Sequence, residues 1–94
     1  MLNAIEPGSV VPVHRHRSTS ETVVCLRGSF VEEFFTDSGE VLESFEVAAG
    51  SSLCAMNIPA GVWHTLKSLE SGTVILEVKD GAYVPMGEED VMKM

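Results

Sequence analysis

Four side chains with metal-binding chemistry occur in two short segments of this sequence. His14 and His16 lie in "PVHRHRSTSETVV", Glu21 follows five positions after His16, and His64 lies in "IPAGVWHTL". These two segments contain every histidine of the chain. Imidazole nitrogens together with a carboxylate oxygen suit divalent transition metals. Two histidines separated by one residue are weak evidence on their own, because solvated side chains on an edge strand produce the same pattern.

The spacing of the first three residues fits a pair of antiparallel strands. Successive side chains of a strand point to opposite faces, so His14 and His16 are expected on one face, roughly 6 to 7 Å apart. Glu21 opens the next apolar run, after the polar connection "RSTS". If that connection folds the chain back as a hairpin, Glu21 lies beside His16 on the neighbouring strand. The pattern therefore predicts that three ligands converge.

The rest of the chain reads as short strands separated by turns. Apolar and β-branched runs recur between segments rich in Gly, Ser and Pro, namely "SVVPV", "TVVCL", "SFVEEFFT", "VLESFEVA", "LCAMNI", "VWHTLKSL" and "TVILEV". These runs predict an all-β antiparallel sandwich or barrel, with a hairpin turn at "TDSGEV". We expect one domain over residues 1–94, with a barrel core over about 8–80 and a tail over 81–94. In the tail, "PMGEEDVMKM" forms a short helix or frays.

The composition limits the partners and the compartment. The chain has 6 Lys and Arg residues against 14 Asp and Glu, a net charge of −8, so binding to nucleic acid is not expected. The start "MLNAIEPGSV" lacks a secretory pattern and no apolar run spans a bilayer, so we expect a cytoplasmic protein without membrane contact. Reduced thiols in the core are favoured over a disulfide for Cys25 and Cys54. Because a core this small leaves apolar strand edges, we expect a homodimer that pairs sheets.

The full spacing of the first segment resembles the first signature of the cupin family. Gly8 is followed after five residues by His14, after one by His16, after four by Glu21 and after six by Gly28. This match holds at every fixed position of the signature.

The second segment resembles most of the second cupin signature. Pro59 is followed after one residue by Gly61 and after two more by His64. Two positions depart from the family pattern. Eight residues separate Gly50 from Pro59 rather than five, and Ser68 occupies the position of an expected asparagine. Both departures fall on strand and loop positions rather than on a ligand.

The resemblance implies a fold and a metal. The fold is a small single-domain antiparallel β-barrel, the double-stranded β-helix of jelly-roll type. The metal is one divalent transition ion, and the family pattern assigns its ligands to His14, His16, Glu21 and His64. Fe, Mn, Ni, Co and Zn all suit such ligands, and the sequence does not select among them.

Four longer segments resemble the WbuC family of cupin-fold metalloproteins, which occurs among bacterial surface-polysaccharide genes. They are "LNAIEPG", "LRGSFVEEFFTDSGEVLES", "IPAGVWHTL" and "GTVILEVKDGAYVP", so the match runs from about Leu2 to Pro85. Members of that family carry further residues before this start. We therefore expect any site element from that segment to be absent or replaced.

Three other residues are candidates for the pocket. Strand alternation places Cys25 and Arg27 on the face of Glu21, although a structural thiol and an arginine that caps the barrel end are the favoured interpretations. Tyr83 either covers the barrel mouth or pins the tail, and pinning is favoured. The neighbour of His64, Trp63, should point away from the metal.

The function stays open between two classes. The first is a metal-dependent enzyme of unknown reaction on a small polar metabolite, such as a sugar or sugar-nucleotide derivative, since an open coordination position permits Lewis-acid or water chemistry. The second is a small-molecule-binding or accessory metalloprotein without turnover, since no catalytic acid or base is evident. A metal-free sugar epimerase of the cupin kind is a weaker alternative.

Overall fold

The computed structural model of the chain describes residues 1–81 and 87–92. Within these ranges the strands are β1 (Leu2–Ile5), β2 (Glu21–Arg27), β3 (Ser29–Phe35), β4 (Val41–Ala48), β5 (Ala55–Ile58), β6 (Trp63–Ser68) and β7 (Thr73–Lys79). A single 3₁₀ turn, Glu88–Asp90, follows them. The strands form a four-stranded sheet in the order β1-β7-β2-β5 and a three-stranded sheet in the order β4-β3-β6, and every paired strand is antiparallel. This architecture confirms the predicted all-β antiparallel class.

The two sheets pack their apolar faces against each other. The shared core contains side chains from both sheets, namely Val23, Cys25, Ile58 and Ile75 from the first and Phe30 and Val47 from the second. In each strand these residues alternate with more exposed ones, so one face of each sheet is buried. Among the described strands, the sheets are not joined into one closed barrel.

The chain crosses from one sheet to the other at Gly28, between β2 and β3. Gly28 has a φ of +81°, a backbone conformation that residues with a Cβ rarely adopt. Thr73 is packed against this corner, and its hydroxyl lies 3.3 Å from the backbone nitrogen of Ser29, which donates a hydrogen bond to it. Both the backbone conformation and the close packing explain why a glycine occupies this position.

Most predicted strands form, and the exceptions are local. The β3–β4 hairpin turns at "TDSGEV", where Thr36 N donates to Glu40 O at 2.8 Å. The predicted strand over "SVVPV" is wrong, because residues 9–13 pair with no strand and only His14 forms an isolated bridge. The strand β1 was not predicted, although "LNAI" pairs along its whole length with β7.

The last described segment lies beside the histidine-bearing segment. Val91 bridges to His14, and Met92 N donates to Val13 O at 2.7 Å. The Asp90 carboxylate accepts hydrogen bonds from Arg15 Nε at 3.2 Å and Arg17 Nε at 2.6 Å. The short helix predicted for the tail is thus the 3₁₀ turn Glu88–Asp90, which is held against residues 13–17. In the two described ranges, no helix is long and apolar enough to cross a bilayer.

Replacing Gly28 by alanine should destabilise the fold strongly. A Cβ at this position would lie 2.9 Å from the Cα of Thr73, on a backbone with φ +81°. We expect Gly28→Ala to lower the free energy of unfolding by at least about 3 kcal/mol in urea denaturation. Gly50→Ala is the matched control, because Gly50 has a φ of +74° but a Cβ there meets nothing within 4 Å. Gly50→Ala should lower the free energy of unfolding by only about 1 kcal/mol. Equal decreases for both variants would show that close packing against Thr73 does not explain the need for a glycine at position 28.

Candidate metal centre

A backbone bridge brings His14 and His64 together. His14 N donates to His64 O at 3.0 Å, and His64 N donates to His14 O at 2.8 Å. Residues that exchange both hydrogen bonds in an antiparallel pair lie directly opposite, with side chains on the same face. The centroids of the two imidazole rings are accordingly 4.4 Å apart. Two histidines separated by 49 intervening residues thus become neighbours through main-chain geometry.

The same two rings are oriented by backbone carbonyls. His14 Nδ1 lies 2.7 Å from Pro12 O, and His64 Nδ1 lies 2.9 Å from Val62 O. A carbonyl oxygen only accepts, so each Nδ1 carries the hydrogen and each Nε2 presents its lone pair. This second hydrogen bond is the usual support of a histidine that ligates a metal.

His16 and Glu21 complete the cluster. One ring nitrogen from each of the three histidines lies within 4.8 Å of the others. Glu21 Oε2 lies 3.4 Å from His16 Nε2 and 3.7 Å from His64 Nε2. The predicted hairpin between the His16 segment and the Glu21 strand is wrong, because β2 pairs with β5 and β7. The His16 carbonyl instead accepts from Gly61 N at 2.7 Å, which ties His16 to the turn before His64.

Two atoms at the centre of the cluster are buried without a hydrogen-bond partner among residues 1–81 and 87–92. They are Glu21 Oε2 and His64 Nε2. Glu21 is 3% exposed and His64 is 2% exposed. Buried polar atoms are nearly always satisfied, and a divalent cation between an imidazole lone pair and a carboxylate oxygen would satisfy both at once. The donor set of three imidazoles and one carboxylate therefore fits a divalent transition metal.

Protonation states in the cluster also suit a cation. Burial is the main cause that lowers the pKa of His14 and of His16, so both imidazoles are neutral at neutral pH. Burial alone would raise the pKa of Glu21, but the proximity of His64 and the hydrogen bond with Glu77 outweigh it and lower this pKa. Burial and the hydrogen bond with Glu21 raise the pKa of Glu77 to about 7. Glu21 is therefore the ionised member of this carboxyl pair.

A cavity of about 340 Å³ opens beside the cluster between the two sheets. His14, Glu21 and His64 line it together with two further carboxyl side chains, Glu32 from β3 and Glu77 from β7. Sequence reasoning missed these two glutamates. Strand alternation could have predicted that both face inward, because each lies two positions from a buried core residue. Glu32 is two positions from Phe30, and Glu77 is two positions from Ile75.

The three residues proposed for the pocket lie elsewhere or outside the described ranges. Arg27 is exposed at the far end of β2, because a β-bulge between Cys25 and Arg27 breaks the alternation that would keep it on the face of Glu21. Cys25 is buried in the core, and its Sγ lies 3.3 Å from Gly28 O rather than in the cavity lining. Tyr83 lies outside the described residues. Cys54, which was expected in the core, is exposed, and both thiols are free.

Trp63, predicted to point away from the metal, contacts a different set of residues from His64. Its indole nitrogen donates to Asp37 Oδ1 at 2.9 Å. The guanidinium of Arg15 lies 4.4 Å from the centroid of its ring, which is a cation–π contact. Trp63 therefore holds the outer side of the segment that carries His14 and His16.

One family model matches the sequence. It is described as "Domain of unknown function (DUF6016)" and matches residues 1–47. No curated protein matches the chain.

Solved structures of cupin-fold proteins resemble the chain. The capsular polysaccharide assembling protein CapF from Staphylococcus aureus has a TM-score of 0.76 and 21% identity over 89% of this chain and 23% of its own. The QdtA 3,4-ketoisomerase from Thermoanaerobacterium thermosaccharolyticum, solved as a double mutant in complex with TDP, has a TM-score of 0.72 and 19% identity over 98% of this chain and 62% of its own. Oxalate decarboxylase from Bacillus subtilis, described with Mn(II) centres, has a TM-score of 0.71 and 22% identity over 99% of this chain and 23% of its own. The chain thus has a cupin fold and spans about a quarter of the length of CapF.

Replacing Glu32 by glutamine should change how stability depends on pH. Burial, followed by the charges of Glu21, Glu77 and Glu33, raises the pKa of Glu32 from 4.5 to about 9. Between these values the folded state keeps a proton that the unfolded state has lost. The free energy of unfolding therefore falls as pH rises, by up to about 1.4 kcal/mol per pH unit from this group.

We expect Glu32→Gln to remove this contribution, measured by urea denaturation between about pH 5 and pH 9. Glu33→Gln is the control, because Glu33 lies next to Glu32 on the opposite face of β3 and pairs with Lys67 at 3.2 Å. A Glu32→Gln variant whose stability falls with pH as steeply as that of the wild type would show that Glu32 is ionised in the folded protein.

Proposed function

The chain belongs to the DUF6016 family of domains of unknown function, and we propose that it is a divalent-metal-binding cupin protein that acts on a small polar metabolite. The proposed ligands are His14, His16, Glu21 and His64. The observation that carries this proposal is the pair of buried, unpartnered atoms Glu21 Oε2 and His64 Nε2, which lie 3.7 Å apart among the described residues. Burying two polar atoms without hydrogen-bond partners destabilises a folded protein, and a bound cation would satisfy both atoms.

Each side chain of the centre has a role in this proposal. The Nδ1 hydrogen bonds of His14 and His64 to backbone carbonyls keep their Nε2 atoms directed at one point. Glu21 contributes the negative charge. A metal with four protein ligands and an open position would supply Lewis-acid polarisation of a bound oxygen. The adjoining cavity of about 340 Å³, within the usual range for small-molecule sites, is the space in which a metabolite would bind.

The proposed class of metabolite is a sugar or a sugar-nucleotide derivative. Two structural neighbours support it, since CapF is a capsular polysaccharide assembling protein and QdtA is a 3,4-ketoisomerase solved with TDP. The similarity of the segments from Leu2 to Pro85 to the WbuC family points to the same chemistry. The net charge of −8 favours a small metabolite over nucleic acid as the partner.

Metal analysis tests the proposed centre. Protein purified without an affinity tag should contain about one transition-metal ion per chain by inductively coupled plasma mass spectrometry. Replacing His16 or His64 by alanine should weaken the affinity for Zn²⁺ at least about 100-fold, because even the loss of an outer contact to a ligand costs up to that much. The affinity is measured by competition with a chelating dye.

The control variant is Asn57→Ala. Asn57 lies on β5, and its amide donates to Thr22 at 3.2 Å on the exposed face of the sheet, so this variant should keep the full affinity for Zn²⁺. Wild-type protein that is purified without metal and takes up no added Zn²⁺, Mn²⁺, Fe²⁺, Co²⁺ or Ni²⁺ would contradict the proposal. That result would favour the metal-free epimerase class.

Turnover separates an enzyme from a binding protein. Metal-loaded protein is incubated with a panel of nucleotide sugars, and products are sought by mass spectrometry. Conversion that is lost in Glu21→Gln is the result expected of an enzyme. A compound that raises the melting temperature without being converted would assign the protein to the binding class.

We also propose a homodimer that pairs sheet edges. The edge strand β4 exposes Val41 by 54% and Leu42 by 63%, and an unpaired edge with apolar side chains favours association. Light scattering at micromolar concentration should give the mass of a dimer for the wild type and of a monomer for Leu42→Glu. Glu43→Gln, at the next position of β4, should remain dimeric. A monomeric wild type would contradict the proposed dimer.

A further inference from the structure

Glu32 is the most deeply buried carboxyl group among the described residues. It is 0% exposed, and neither Oε1 nor Oε2 has a hydrogen-bond partner in residues 1–81 and 87–92. Its side chain lines the cavity beside the metal centre, along with Glu21 and His64. Glu32 is not one of the proposed metal ligands, since in the described residues the carboxylate that lies within 4 Å of the histidine nitrogens is that of Glu21.

The fold itself gives no reason for a carboxyl group at this position. Burying a polar group without a partner destabilises a protein, whereas an apolar side chain of similar size would not. Phe30, which lies on the same face of β3, shows that this face accepts a large apolar residue. A ligand inside the cavity would provide the partners that the protein does not.

The charges around the cavity indicate what that ligand is. Three carboxyl groups line it, from Glu21, Glu32 and Glu77, and no Lys or Arg appears among the described lining residues. Away from the proposed metal, a negatively charged group would therefore find no guanidinium or ammonium to pair with. A neutral group with several hydroxyls needs no such counterion, and it can both donate to and accept from carboxyl groups.

The protonation of Glu32 and the remaining walls fit the same ligand. Burial and the nearby carboxylates raise the pKa of Glu32 to about 9, so at neutral pH its carboxyl group offers one donor and one acceptor. The apolar walls include Ile5, Leu66 and Ile75. Such walls suit the carbon-bound hydrogens of a sugar ring, whose hydroxyls would face the carboxyl groups.

We propose that Glu32 is a ligand-contacting residue, and that the group bound inside the cavity is a neutral polyhydroxyl ring rather than a carboxylate or phosphate. This inference rests on the proposed binding of a small polar metabolite, but not on the metal ligands. A nucleoside diphosphate attached to such a ring would lie outside the acidic cavity.

Amide chemical shifts test the proposal. The ¹⁵N-labelled, Zn²⁺-loaded protein is titrated with D-glucose, D-galactose and myo-inositol as neutral probes and with sulfate as a dianion. At least one polyol should bind with millimolar affinity and shift the amides of residues around the cavity. Glu32→Leu should weaken this binding at least about tenfold, whereas Glu32→Gln should stay within about threefold of the wild type because an amide also donates and accepts.

Thermal unfolding separates a ligand-binding role from a structural one. If Glu32 serves a ligand, Glu32→Leu should raise the melting temperature, by roughly 4–8 °C, because it removes an unsatisfied buried group. A structural role predicts a lower melting temperature. Glu33→Leu is the matched control for binding, since Glu33 faces Lys67 rather than the cavity, and it should bind the polyol like the wild type.

Three results would overturn the proposal. They are unchanged polyol affinity in Glu32→Leu, tighter binding of sulfate than of every polyol to the metal-free protein, and no response of the cavity amides to any of the three polyols. The same titration of metal-free protein distinguishes this failure from failure of the metal centre. Polyol binding that depends on Glu32 in protein that takes up no metal would support the role of Glu32 and contradict the proposed centre.

Discussion

The paired backbone hydrogen bonds between His14 and His64 are the interaction on which the rest of the site depends. They join a segment that forms no strand to the first residues of β6. They also fix both imidazoles on the face that points between the sheets. The opposite side of the His14 segment is held by the bridge to Val91 and by the ion pairs of Asp90 with two arginines. The histidine cluster is therefore supported from both sides by main-chain contacts.

The interior of the fold contains an apolar core and a polar cavity, which affect stability in opposite ways. One part is a close-packed apolar core that includes Val23, Phe30 and Ile75. The other contains three carboxyl groups and unpartnered buried atoms, each of which lowers the stability of the folded state. Natural proteins accept such costs mainly at functional sites. Most of these unpartnered atoms belong to residues that line one cavity, which makes this cavity the candidate site.

Local patterns predicted much of this arrangement, and long-range pairing did not. The hairpin at "TDSGEV" and the strand β4 follow from turn chemistry and β propensity. His14 and His16 come together although their segment forms no strand, because His14 is held by its bridge to His64 and the His16 carbonyl by Gly61. Glu21 does lie beside His16, as the sequence predicts, but the predicted hairpin is not the cause. The register of β2 is set by its pairing with β5 and β7. The predicted strand face of Arg27 is wrong because period-two alternation does not take account of a β-bulge. Glu32 was overlooked because a glutamate in an apolar strand is ordinarily assigned to the exposed face, although strand alternation from Phe30 places it on the buried face.

X-ray absorption spectroscopy of the metal-loaded protein tests the central claim most directly, because it reports the atoms around the ion itself. With Zn²⁺ bound, the spectrum should fit only nitrogen and oxygen neighbours at about 2.0–2.2 Å, with the multiple scattering of three imidazoles. A sulfur shell at about 2.3 Å, or scattering from one imidazole or none, would show that the ion binds elsewhere and that the three histidines are not its ligands.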